Sequence, residues 1–202
     1  MNFSEWLSFY ENATEAAPKV LWITGMGSTG EGPKWLAAQG YDVEHIGTTT
    51  NRYAAYLGRF KRYPVLGNMI GGMANRFGQS HLTANMQKHD KEKVGFFQPD
   101  VIVGSSQGGA IAMQVAHKYP QAKFVLIAPA WRIFGADPSH LPSDTIIIQG
   151  KKDIQVPAID SKMLSDRYGF RVVYTNDGHK IPKEVIKNYV DSQLKQIYQG
   201  VA

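Results

Sequence analysis

One stretch constrains the fold more than any other: Asp100 to Tyr119, DVIVGSSQGGAIAMQVAHKY, led by Pro99 and stopped by Pro120. Val101-Ile102-Val103 has the β-branched, apolar character of a short buried strand. Gly104-Ser105-Ser106-Gln107-Gly108 is a tight turn that fits G-x-S-x-G with Ser106 at its centre. An Ala-rich helix follows, with Ile111 and Val115 on one face. A serine on such a strand-to-helix turn is forced into a strained backbone conformation, and its hydroxyl stands clear of the sheet. Gly104 and Gly108 fall where side chains would meet the neighbouring strand and helix. Ser105 competes for the central role, but only Ser106 lies midway between the two glycines.

The rest of the chain supplies the sheet that such a turn needs. Apolar strands are expected at 19–24 (KVLWIT), 41–46, 123–127 (KFVLI), 145–149 (TIIIQ) and 171–175 (RVVYT). Helices are expected at 33–39, stopped by Gly40, at 157–168, and at 182–199. In the last helix Val185, Ile186, Tyr189, Val190, Leu194, Ile197 and Tyr198 line one stripe. Phe3, Trp6, Leu7 and Tyr10 predict a further short amphipathic helix within 2–16. Short strands alternating with helices give an α/β protein: a mostly parallel central sheet with helices on both faces. With 202 residues and no repeat, one domain over 1–202 is expected, with 51–98 a lid or insertion within it.

Composition removes several classes of function. There is no cysteine, hence no disulfide, no thiolate nucleophile and no cysteine-based metal site. No run approaches the roughly 18 apolar residues of a membrane span. Residues 1–19 carry acids and no apolar run, so no secretion signal is read and a cytoplasmic protein is expected. The formal charge is +5, but residues 51–98 hold 8 Lys and Arg against 2 acids, so the surplus belongs to that segment. Its Tyr53, Tyr56, Phe60 and Tyr63 interleave with basic residues, as in single-strand binders. At helical spacing such aromatics are core residues, and no nucleic-acid partner is expected.

A serine hydroxyl needs a general base, and a histidine base needs a carboxylate. In a doubly wound sheet such groups gather beyond the carboxyl ends of strands. After TIIIQ comes Gly150-Lys151-Lys152-Asp153, and after RVVYT comes Asn176-Asp177-Gly178-His179. The order Ser106, Asp153, His179 is nucleophile, acid, base. Asp177 and Asp137 are the alternative acids; Asp177, two residues from His179, is the better turn former. His45 inside a strand and His117 near a helix end are read as structural, and His81, His89 and His140 receive no role. The oxyanion of a tetrahedral intermediate needs donors. These are expected from the backbone N–H groups of Gln107 and, in the loop after the first strand, of Met26.

Over residues 19–199 the chain resembles the α/β-hydrolase family, in particular its small single-domain esterases and thioesterases. The resemblance rests on ITGMG, GSSQGG, GKKDIQVP and DGH in register with the strand order. It implies a serine hydrolase of carboxylic esters or thioesters, working through an acyl-enzyme with no cofactor or metal on a small-molecule substrate. The chain departs from the family in having Thr24-Gly25 where many members have His-Gly, and in having only residues 128–144 where a cap is often inserted.

Two rival readings stand beside this one. Gly25-x-Gly27-x-x-Gly30 follows a strand and fits a dinucleotide fingerprint, with Arg52 beyond the second strand, as in an NADP-binding oxidoreductase. Against it, Pro33 falls where the fingerprint helix should already run, and no acid ends the second strand. A non-catalytic binding protein on the same fold is the other. The basic segment also predicts electrostatic steering of anionic substrates. Turnover of an anionic ester should fall as salt is raised while that of a neutral ester holds; equal salt dependence would remove the steering role.

Overall fold

A computed structural model describes residues 17–25, 30–47, 80, 84 and 97–199, with residues 198 and 199 in backbone only. The helix expected within 2–16, Met26 and nearly all of 51–98 lie outside the described residues. The strands are β1 (Lys19–Ile23), β2 (Asp42–Ile46), β3 (Val101–Ser105), β4 (Lys123–Ile127), β5 (Ile146–Gly150) and β6 (Arg171–Thr175). The helices are α1 (Glu31–Ala37), α2 (Gln107–Val115), α3 (Trp131–Phe134), α4 (Ala158–Tyr168) and α5 (Lys183–Gln199). A 3-10 turn, Ala116–Lys118, extends α2 toward Pro120.

The six strands form one sheet in the order β2-β1-β3-β4-β5-β6, and every adjacent pair is parallel. Parallel strands must be joined by crossovers, so both faces become covered and the strands read as continuous apolar runs. Alternate residues feed two cores. Leu21, Ile23, Ile102, Phe124, Leu126 and Ile147 pack with Ala110, Ile111 and Met113 of α2 and Leu164 of α4. Val20, Trp22, Val101, Val103, Val125 and Ile148 pack on the other face with Leu36 of α1 and Ile186, Val190 and Leu194 of α5. Of the stripe expected on the last helix, Ile186, Val190 and Leu194 are buried, and Val185, Tyr189 and Ile197 pack against them partly exposed.

The chain runs from β1 outward to β2, then returns across β1 to β3. The sheet reverses its winding between β1 and β3, and the crevice at such a reversal is where α/β proteins hold ligands. The Ser106 turn lies there, at the carboxyl end of β3.

Close approach of α2 to β1 fixes this crevice. A Cβ on Gly108 would lie 2.1 Å from the Ile23 carbonyl oxygen, and one on Gly104 2.8 Å from the Gly109 Cα. Those obstacles are backbone and cannot swing aside. Gly169, after α4, has open space around it but φ +74°. Gly169→Ala should therefore cost roughly 1–2 kcal/mol, from backbone strain alone. Gly108→Ala should cost more, above about 3 kcal/mol, because α2 must move off β1. Denaturant melts of the two variants compare these, and equal losses would contradict the packing assigned to Gly108.

Candidate active site

Ser106 has φ 53° and ψ −117°, a conformation that side chains rarely adopt. Neighbouring backbone holds it there. Its N–H donates to the Ile127 carbonyl at 2.8 Å, and its carbonyl accepts from Gly109 and Ala130 N–H, each at 3.0 Å. The β4 loop that supplies these partners is itself strained, with Ala128 at φ 42°. Gln107, directly after Ser106, opens α2 and is buried.

The loop after β1 lies against this turn. A Cβ on Gly25 would be 2.8 Å from Ser106 Cβ and 3.4 Å from its Oγ. The Gly25 N–H donates to Ser105 Oγ at 3.2 Å. The two serines thus differ in their surroundings: Ser105 ends β3 and ties down the β1 loop, whereas Ser106 carries the positive φ. Thr24 completes the anchorage. Its hydroxyl has one proton, which goes to the Ile46 carbonyl at 3.3 Å, so the oxygen accepts from His45 Nε2, also at 3.3 Å. Partial burial and the nearby Lys34 cation push the His45 pKa below its ordinary value. His45 so serves the β1–β2 junction, in keeping with its structural reading. The departure from His-Gly to Thr24-Gly25 leaves the start of the loop firmly hydrogen-bonded.

At the other side of the row of strand ends, Asp153 and His179 meet. His179 Nδ1 is 2.7 Å from Asp153 Oδ2, and the Asp153 side chain is fully buried. The other carboxylate oxygen accepts the N–H groups of Gln155 (2.8 Å) and Val156 (3.0 Å). Backbone bonds join the two loops: Lys151 N–H to the Thr175 carbonyl and Lys152 N–H to the Asp177 carbonyl. A Cβ on Gly150 would lie 2.1 Å from the Gly178 carbonyl oxygen, so the loops touch through glycine. An Asp153–His179 hydrogen bond built this way fixes the imidazole tautomer, with the proton on Nδ1.

The alternative acids have other work. Asp177 lends its carbonyl to the loop junction and its N–H to Thr175 Oγ1 at 3.4 Å. Asp137 is exposed and caps Ser139, whose backbone N–H and hydroxyl hold its pKa below the usual carboxylate value. His117 and His140 face one another at the surface, with ring centroids 5.7 Å apart. Among the described residues no group of three or more His, Cys, Asp or Glu could hold a metal ion.

Several supporting residues carried no signal in the motifs. Gln149 is fully buried beside Asp153, and Ser161 is fully buried against Gln149. A glutamine ending the otherwise apolar TIIIQ strand was the clue available for the first. Helix α3 was not expected. It is anchored by Trp131 Nε1 donating to the Asp160 carbonyl (3.1 Å) and by Arg132 paired with the buried Asp160 carboxylate (2.8 Å).

No family model and no curated protein sequence matches this chain. Solved structures do resemble it. Esterase PE8 is 15% identical with a TM-score of 0.55, over 91% of this chain and 94% of that one. A dienelactone hydrolase from Anabaena variabilis is 17% identical with a TM-score of 0.56, over 92% and 88%. Mouse alpha/beta hydrolase domain-containing protein 10 is 13% identical with a TM-score of 0.56, over 94% and 92%. Identities this low bear on architecture, and the architecture is the α/β-hydrolase fold.

The hydrogen bond from Gly25 to Ser105 has a direct consequence. In Ser105→Ala the Gly25 amide loses its acceptor and should exchange its proton faster, with a stability loss of about 1–2 kcal/mol. Ser106→Ala should leave that amide as it is. Hydrogen exchange read by NMR separates them, and unchanged Gly25 exchange in Ser105→Ala would contradict the anchoring role.

Proposed function

We propose that this chain, built on the α/β-hydrolase fold, is a serine hydrolase of carboxylic esters or thioesters. The observation that carries the reading is the buried Asp153 bonded to His179 on the edge of the sheet where Ser106 holds its strained turn. Esterase and hydrolase names among the structural neighbours agree with it.

In the reaction the His179 imidazole, through Nε2, takes the proton of Ser106 Oγ as that oxygen attacks the carbonyl carbon. The substrate oxygen becomes an oxyanion and receives the backbone N–H groups of Gln107 and Met26. Collapse of this intermediate expels the alcohol or thiol, which takes the proton from His179 and leaves an acyl group on Ser106. Water, deprotonated by His179, attacks the acyl group, and His179 returns that proton to Ser106 Oγ as the acid is released. Asp153 stabilises the imidazolium formed at each step, and its hydrogen bond keeps the imidazole in the tautomer that can accept at Nε2.

A panel of p-nitrophenyl esters and acyl thioesters of increasing chain length tests the proposal. Ser106→Ala and His179→Ala should each lower kcat by about 10⁵–10⁶, and Asp153→Asn by about 10⁴, with KM little changed. Wild-type turnover that survives Ser106→Ala would overturn the assignment.

A further inference from the structure

We propose that Gln149 is a positioning residue: its amide, locked by Ser161, braces the acid loop so that the Asp153 carboxylate meets His179. The loop from Gly150 to Val156 leaves the sheet and must return to α4 with a buried carboxylate in its middle. Gln149 spans it. Its Nε2 donates to the Gly150 carbonyl and the Val156 carbonyl, each at 3.1 Å, and reaches Asp153 Oδ2 at 3.4 Å. Val156 in turn donates its N–H to Asp153 Oδ1, so the residue gripped at the far end of the loop is itself a partner of the carboxylate.

The direction of the amide is fixed by its surroundings. Two carbonyl oxygens and a carboxylate oxygen face one end, so that end must be the NH₂ group. The other end, Oε1, lies 2.7 Å from Ser161 Oγ on α4, and the serine hydroxyl must donate. Gln149 and Ser161 both have 0% exposure, so no water competes for these groups. A polar chain from α4 through Gln149 to Asp153 and His179 results. In a buried network of this kind each member restricts the next.

The catalytic consequence rests on the serine-hydrolase reading, but the structural one does not, and the test separates them. The probe is the low-field proton resonance of His179 Nδ1–H, with kcat and KM on a short-chain p-nitrophenyl ester measured alongside. Gln149→Met keeps the length and removes the donor; Ser161→Ala keeps Gln149 and removes its lock. Both should broaden or lose the resonance in a protein that still melts cooperatively, with kcat down about tenfold for Gln149→Met, less for Ser161→Ala, and KM within twofold. If Gln149→Met does not fold, with the Val156 carbonyl deprived of the Gln149 donor, Ser161→Ala decides alone. Folded variants that keep the resonance at wild-type position and intensity would overturn the proposal, whatever their activity. A wild type that shows the resonance but turns over no ester, with variants that lose it, would sustain the positioning role and sink the hydrolase reading.

Discussion

The backbone of Ser106 is the constraint on which the rest depends. A non-glycine residue at φ 53° and ψ −117° is held against a cost of order 1–3 kcal/mol. It persists because Ile127 of β4 and Ala130 in the loop after it are its partners on one side. On the other side Gly108 lets α2 press onto the Ile23 carbonyl. The turn therefore belongs to three strands at once. β3 delivers the serine, β1 sets the wall opposite it, and β4 with the loop after it ties both its N–H and its carbonyl. Sheet order makes this possible, since β3 lies between β1 and β4.

A second construction sits two strands away and answers the first. The loops after β5 and β6 are joined backbone to backbone, and glycine at 150 lets them touch. Joining them fixes the distance between an acid on one and a histidine on the other. Burial of Asp153 would be costly for an isolated carboxylate. Two backbone amides, Gln149 and His179 offset that cost and leave the charge aimed at the imidazole. The site thus draws its order from strand ends and short loops more than from any helix.

How far the sequence revealed this depends on how local each signal was. Strands with unbroken apolar runs, such as Val101–Val103 and Phe124–Ile127, could be placed within a residue or two, because burial on both faces leaves no polar interruption. Asp153 and His179 could be found because each follows a strand end, and fold order then sets them side by side. Gln149 and Ser161 could not be paired from sequence: they lie twelve residues apart on different elements and meet only after α4 packs on the sheet. Helix α3 is four residues long, too short for any periodicity, and depends on the contacts of Trp131 and Arg132 with Asp160. Ser105 looked like a competitor for Ser106 by composition, and only the hydrogen bond from Gly25 gives it a separate task. Met26 and nearly all of the basic segment 51–98 lie outside the described residues.

Labelling with a fluorophosphonate, followed by intact mass and peptide mapping, tests the central claim most directly. An activated serine reacts where an ordinary hydroxyl does not, because attack on phosphorus needs the same base. One adduct per chain is predicted, on the peptide containing Ser106, formed also in Ser105→Ala and absent in Ser106→Ala. A folded wild type that gains no mass, or an adduct mapped to Ser105, would contradict the account.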